Sequence, residues 1–154
     1  MDLYVEEAEL EDKSVLRRML QLYLHDMSEF TSDDLDAHGE YGYKYLDDYW
    51  TEDGRYPFIF RIENKLAGFA LVRRLTEEYQ MAEFCILRKY RRTGLGKLAA
   101  ETVIRRFGGR WAIYQLAANT PAQKFWDKVA DEVSGGEYEE YSSSEEVHQT
   151  FTVH

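Results

Sequence analysis

Apolar and polar positions change period several times along the chain, and each change predicts an element. The opening run Leu3-Tyr4-Val5-Glu6-Glu7-Ala8-Glu9-Leu10 is apolar enough for a first strand, although its alternation is imperfect. Val15, Leu16, Met19, Leu20, Leu22, Tyr23 and Met27 recur at helical spacing, which predicts an amphipathic helix over 14–29 with Asp12 as its cap. From Phe30 to Asp53 the chain is acidic and aromatic, broken by Gly39 and Gly42, and reads as a loop with a short helix near 41–49. Pro57–Ile62 and Leu66–Val72 are β-rich runs, and the Asn64-Lys65 pair between them suits a hairpin turn. Met81–Leu87 reads as another strand. Leu95, Leu98, Ala99, Thr102, Val103 and Phe107 then share one helical face, ended by Gly108-Gly109. Trp111–Leu116 is a further strand, and Pro121 fits the first turn of a helix running to about Val129. Tyr138–Tyr141 and Gln149–Val153 form a closing hairpin. This order predicts an α/β or α+β domain with a mixed sheet.

Composition narrows the class. The 154 residues are 44% apolar and 31% charged, which fits one folded domain, 1–154, with no repeat or linker. The lone Cys85 forms no internal disulfide, the N-terminus lacks the basic and apolar run of a signal peptide, and no stretch is apolar enough to span a membrane. A cytoplasmic protein is expected, without a membrane partner. His25, His38, His148 and His154 show no ligand spacing, so no metal is expected.

Charge singles out one segment. The formal net charge is −10, which argues against a sequence-independent grip on nucleic acid. Residues 1–56 carry 16 acids and five bases, whereas residues 88–110 carry eight bases and one acid. An anion should bind there, unless the basic run serves only to neutralise acidic neighbours. Within it lies Arg91-Arg92-Thr93-Gly94-Leu95-Gly96-Lys97, between a strand and the start of a helix. Unpaired N–H groups at a helix N-terminus, with glycines that let the backbone approach closely, make a cradle for phosphate. Gly94-x-Gly96-x-x-Ala99 also fits a dinucleotide fingerprint. That reading requires glycine at the strand end, where Arg88–Thr93 intervenes, and an acid at the end of the next strand, which Trp111–Ala118 lacks. A Walker loop fails too, because Leu98 follows Gly96-Lys97 where Ser or Thr is needed.

The strand Ala82–Leu87, the loop Arg91-x-x-Gly94-x-Gly96, the amphipathic helix and a strand ending in Asn119 together resemble the GNAT superfamily of acyl-CoA-dependent N-acetyltransferases. The resemblance covers residues 57–130 well and the rest by order of elements. The run Asn119–Trp126 also resembles a small bacterial branch of acetyltransferases. The resemblance implies a central mixed, mostly antiparallel sheet with helices on both faces and a splayed strand pair at the cofactor. It implies acetyl-CoA as co-substrate, bound at Arg91 and with the pyrophosphate held by the backbone amides of Arg92, Thr93, Gly94, Leu95, Gly96 and Lys97. The pantetheine arm would meet Phe84, Cys85 and Ile86 on the splayed strand, then Asn119, Phe125 and Trp126. Many members carry Tyr as a general acid where this chain has Trp126. An indole N–H donates a hydrogen bond but does not titrate near neutral pH.

Transfer to an amine needs a proton acceptor, and Glu83, on the strand that would hold the cofactor, is the candidate. The alternative is an ordinary acid on an exposed strand face. Cys85 shares its face by period two but reads as a small buried thiol. The acidic loop, where Asp33, Asp34 and His38 precede Tyr41, resembles a lining for a cationic amine, with carboxylates for charge and aromatic faces for cation–π contact. The expected activity is direct transfer of acetyl from acetyl-CoA to a small cationic amine, by a monomer or homodimer. A non-catalytic acyl-CoA-binding module is the alternative.

Overall fold

A computed structural model describes residues 2–154. The strands are β1 (Leu3–Glu7), β2 (Arg55–Ile62), β3 (Lys65–Arg74), β4 (Tyr79–Ile86), β5 (Gly109–Leu116), β6 (Tyr138–Ser142) and β7 (Glu146–Val153). The helices are α1 (Lys13–Thr31), α2 (Asp48–Thr51), α3 (Leu95–Phe107) and α4 (Thr120–Ser134), with 3-10 turns at Leu10–Asp12 and Arg88–Tyr90. All seven strands form one sheet in the order β1-β2-β3-β4-β5-β7-β6. Every pairing is antiparallel except β4 with β5. Among the described residues no helix is long and apolar enough to cross a membrane.

Period-two alternation on the central strands divides the core into two layers. Phe58, Phe60, Ala70, Val72, Trp111 and Ile113 point to the side covered by α3 and α4, where Ala99, Val103, Val129 and Ala130 meet them. Ile59, Phe69, Leu71 and Cys85 point to the other side, covered by Leu16, Met19 and Leu20 of α1 and by Leu46 and Tyr49 at α2. Trp111, Phe58, Phe60 and Phe69 are fully buried, each stabilising the fold by about 1.5–3 kcal/mol relative to exposure.

The elements differ from the sequence expectation in four places. The β2–β3 turn is Glu63-Asn64, both at positive φ, while Lys65 already pairs with Ile62. Two left-handed residues match a hairpin's right-handed twist, and that selects the turn. Asp12 does not bond the α1 backbone; its carboxylate accepts from Glu9 N at 2.9 Å and closes the 3-10 turn. The short helix lies at Asp48–Thr51, after the acidic loop. Finally, α4 continues past Val129 to Ser134, because Val129, Ala130 and Val133 keep its apolar face against the sheet until left-handed Gly135 stops it.

Two irregularities shape the centre. The register shifts so that Leu71 faces Glu83 and Val72 faces Met81, leaving Ala82 as an extra residue in β4. This bulge moves Glu83 off the face that Met81 occupies and onto that of Cys85. On β3, Gly68 lies so close to β4 that a Cβ would collide with the Cys85 carbonyl oxygen. Gly68→Ala is expected to lower the unfolding free energy by about 3 kcal/mol in urea denaturation. A change below about 0.5 kcal/mol, typical of a neutral surface site, would contradict this packing.

Candidate active site

The turn after β4 and the first turn of α3 form a cradle. Thr93 Oγ1 donates to Tyr90 O at 2.7 Å and pins the loop. Arg92 and Gly94 take left-handed backbone, at φ 61 and 84. The first helical bond runs from Leu98 N to Gly94 O at 3.1 Å, so the amides of Leu95, Gly96 and Lys97 precede the helical ladder. Of these, Leu95 N has only a long contact to Thr93 Oγ1, at 3.4 Å. A Cβ on Gly96 would sit 3.3 Å from a Phe125 ring carbon and 3.4 Å from Ile86 Cγ1, so glycine lets α3 close onto both.

Much of the basic charge around this cradle is already engaged. Arg91 donates through Nε to Ile86 O at 2.6 Å and through Nη2 to Asp26 at 2.9 Å, and Arg88 reaches the same carboxylate at 2.7 Å. Partial burial pushes the Asp26 carboxyl up, but the bonds from Arg91 and Arg88 outweigh it and hold it below its ordinary value. Lys97 lies between Glu101 and Glu132, at 3.7 and 3.8 Å. Arg92 is exposed and has no ion pair among the described residues. The cradle therefore offers a phosphate chiefly backbone N–H groups and Arg92.

Beside the cradle the sheet opens. The pairing of β4 with β5 comprises Tyr79 with Trp111 and Gln80 with Ala112, and then the strands part. The β4 edge facing β5 from Met81 to Ile86 thus lies along a wedge with no strand opposite. On the α4 side, Phe84 fills its base with Phe125 and Trp126 at ring separations of 4.9–5.6 Å. Trp126 is buried in that cluster. At the end of β5, Asn119 caps α4 by accepting from Ala122 N at 3.3 Å, and its amide group faces Met27 Sδ at 3.9 Å. The two features adjoin: a strand edge with no strand opposite, its Ile86 carbonyl taken by Arg91, and a backbone anion cradle.

On the opposite face of the sheet, Glu83 is half-buried among tyrosines. Tyr23 Oη donates to its Oε1 at 3.0 Å and Tyr43 Oη to its Oε2 at 2.9 Å. Burial lifts the Glu83 carboxyl above its ordinary value, although both hydroxyls favour the ionised form. Burial first, then the Glu83 charge, drives the Tyr23 and Tyr43 hydroxyls well above the usual phenol range. Tyr49 is buried nearby with its hydroxyl unpartnered and pushed to about 12, mainly by burial. The Arg55 guanidinium stands 5.4 Å from the Tyr45 and Tyr49 rings. Cys85, on the same face, is driven to about 11 by burial, so its thiolate is scarce at neutral pH.

The acidic loop folds mostly onto itself and α1. The Tyr41 backbone is clasped on both sides by the Gln21 amide at 2.8 Å, and its hydroxyl meets His25 Nδ1 at 3.1 Å. Asp36 accepts from the His38 and Glu40 amides, Glu40 pairs with Arg17, and Asp47 pairs with Lys13. Asp33, Asp34 and His38 are exposed and make no hydrogen bond to Glu83 or its tyrosines. The structure thus gathers Phe84, Cys85, Ile86, the 91–97 loop, Asn119, Phe125 and Trp126 around one wedge and cradle, and leaves Asp33, Asp34, His38 and Tyr41 apart from it.

Comparison with known proteins identifies the family and the fold. The sequence profile of the acetyltransferase (GNAT) family matches residues 17–130. The chain belongs to that family. Similar solved structures include the ribosomal-protein-S18-alanine N-acetyltransferase of Escherichia coli, 12% identical with a TM-score of 0.69, covering 99% of this chain and 94% of that one. The PaiA N-acetyltransferase of Thermoplasma acidophilum in complex with coenzyme A is 12% identical, with a TM-score of 0.65 and 99% of each chain covered. A GNAT family acetyltransferase of Elizabethkingia anophelis with acetyl-CoA bound is 11% identical, with a TM-score of 0.62 and 98% of each chain covered. No curated relative matches in sequence. At these identities the likeness is one of fold, and membership of the GNAT family, with its acetyl-CoA-dependent acetyltransferase activity, rests on the profile. The dinucleotide reading of the glycine loop is set aside.

Sequence reasoning set Tyr43 and Tyr49 among the aromatics of the acidic loop as candidate pocket lining but did not bring them to Glu83, and it missed Tyr23 there and Asp26 beneath Arg88 and Arg91. No local signal pointed to Tyr23 or Asp26, because Tyr23 reads as one more apolar position on α1 and the partners of both lie 60 and more residues away. The environment of Glu83 has a thermodynamic consequence. A carboxyl whose folded pKa is raised binds its proton more tightly in the folded state. Its contribution to stability is therefore greatest at low pH and declines as pH rises from about 4.5 through the folded value. Measured by urea denaturation at a series of pH values, the stability difference between Glu83→Gln and the unaltered protein should shift in the variant's favour above about pH 4.5. A difference independent of pH would contradict the assignment.

Proposed function

We propose that the protein is a cytoplasmic N-acetyltransferase that moves an acetyl group from acetyl-CoA to the primary amine of a small cationic acceptor, by direct transfer in a ternary complex. The observation that carries the reading is Glu83: a carboxylate with a raised pKa, held by two tyrosine hydroxyls on the strand that borders the wedge. In this reading the amides of Arg92–Lys97 and the Arg92 side chain hold the pyrophosphate, while Arg91 fixes the loop through Ile86 and Asp26. The β4 backbone at Phe84, Cys85 and Ile86 lines one side of the pantetheine arm, and Asn119, Phe125 and Trp126 line the other. Acetyl-CoA supplies an acetyl group activated as a thioester.

The remaining chemistry falls to the chain itself. An incoming ammonium must lose a proton, and Glu83 accepts it, directly or through one water. Its raised pKa makes it a stronger base than an ordinary glutamate, and the Tyr23 and Tyr43 hydroxyls fix its orientation. Trp126 supplies no titratable proton, so either another tyrosine protonates the departing thiolate or the thiolate leaves unaided. Positive charge on the acceptor is favoured by Glu83 and by the tyrosine faces beside it, whereas Asp33, Asp34, His38 and Tyr41 lie apart from them. The alternative of a non-catalytic acyl-CoA-binding module draws its support from Trp126, and release of free thiol in the presence of amines separates the two.

Steady-state kinetics test the assignment. Glu83→Gln should lower kcat by about 100-fold or more and remove the acid limb of the pH–rate profile, while the Kd for CoA stays unchanged. Unaltered turnover across pH would remove Glu83 from the mechanism. In an amine panel, cationic acceptors should exceed neutral and anionic ones of equal length in kcat/KM.

A further inference from the structure

Beyond the wedge the sheet continues as β5, β7 and β6 with one face left open. Register sets Tyr114 on β5 opposite His148 on β7, and His148 opposite Tyr141 on β6. The three rings form a cross-strand ladder: Tyr114 and His148 lie 4.7 Å apart at 31°, and His148 and Tyr141 lie 5.0 Å apart at 25°. The adjacent residues Gln115 and Gln149 bond each other and Asp127 of α4, so the ladder lies on the face turned away from α4. That is the face that carries Glu83. Tyr114 and Tyr141 are 40% and 49% exposed, so the rings offer their surface to solvent.

The surroundings of the ladder are acidic. The charges of Glu78 and Glu146 act on the Tyr114 hydroxyl, and the Tyr141 hydroxyl donates to Glu139. Arg110 acts on Tyr141 in the opposite sense. Flat aromatic faces edged by carboxylates attract a planar, weakly hydrated cation, since a guanidinium stacks on rings while its N–H groups reach acid oxygens. The ladder also shares a sheet face with Glu83. Past Gln80 and Ala112, Glu83 stands on the β4 bank of the wedge and Tyr114 on the β5 bank, both on the same face.

We propose that Tyr114, His148 and Tyr141 form a cation-binding platform that takes a second charged group of the acceptor, a guanidinium, while the acceptor's amine lies at Glu83. The platform selects acceptors that carry two positive charges. This rests on the reading of Glu83's face as the acceptor side, but ring binding is measurable without acetyl-CoA.

The test is an NMR titration of the full-length protein, observing the His148 ring signals, with arginine amide and with its uncharged isostere citrulline amide. Arginine amide should shift these signals along a saturating curve, with citrulline amide at least roughly ten-fold weaker. Tyr141→Leu should weaken arginine amide binding by roughly ten-fold, and Tyr141→Phe, which keeps the ring, should not. A purely structural role for the ladder would move the stability of these variants and leave the charge preference absent. Equal binding of the two amides, or a folded Tyr141→Leu variant that binds as well as the unaltered protein, overturns the platform. If Tyr141→Leu does not fold, the amide comparison and Tyr141→Phe decide. Binding without any acetylation of arginine amide would uphold the platform and count against the transferase assignment of Glu83 instead.

Discussion

Two residue pairs hold β4 to β5, and the site depends on their being only two. At one end Tyr79 stacks on Trp111 at 5.4 Å, with Phe107 against both rings, so the strands are clamped where they pair. At the other end the rings of Phe84, Phe125 and Trp126 pack together on the α4 side of the opening. Clamping one end and wedging the other leaves a strand edge with free polar groups inside the sheet, which is costly unless a ligand or water takes them. The Ala82 bulge lies within the wedge and turns Glu83 to the face opposite those aromatic rings. One opening therefore has the aromatic rings on one side of the sheet and Glu83 on the other.

The basic segment serves two purposes that a count of charges merges. Arg88 and Arg91 tie the end of β4 to Asp26 of α1, and Lys97 sits between two glutamates of α3 and α4. These contacts are the neutralisation that the sequence left open as the alternative. What remains for an anion is mostly backbone: amides ahead of the α3 ladder, with Arg92 beside them. Backbone donors are preorganised by the fold and lose no side-chain entropy on binding.

The architecture was legible because its signals are local. The hairpin of β2 and β3, the switch from period two to 3.6 after Leu87, and the glycines at 94 and 96 each lie within a short window. The limits of α4 were less legible, since packing of Val133 under the sheet carries it past where the pattern weakens. The surroundings of Glu83 were not legible at all. Tyr23 reads as one more apolar position on α1, Tyr43 as one of many aromatics in an acidic loop, and only the tertiary fold brings both hydroxyls to one carboxylate. The same limit applied in reverse to Asp33, Asp34 and His38, whose acidic and aromatic setting suggests a pocket lining although the loop bends back onto α1. Composition reports what a segment can bind, while hydrogen bonds decide where it points.

The central claim is that the loop ahead of α3 is a backbone anion cradle for a CoA compound, and calorimetric titration with acetyl-CoA, CoA and NAD addresses it directly. Gly94 has φ 84 with open space around its Cα, so Gly94→Glu places a strained residue and a carboxylate at the cradle without filling the core. The account predicts micromolar binding of acetyl-CoA and CoA but not NAD, and its loss in Gly94→Glu while the fold is retained. Absence of binding to CoA compounds, or binding that Gly94→Glu leaves intact, would contradict it.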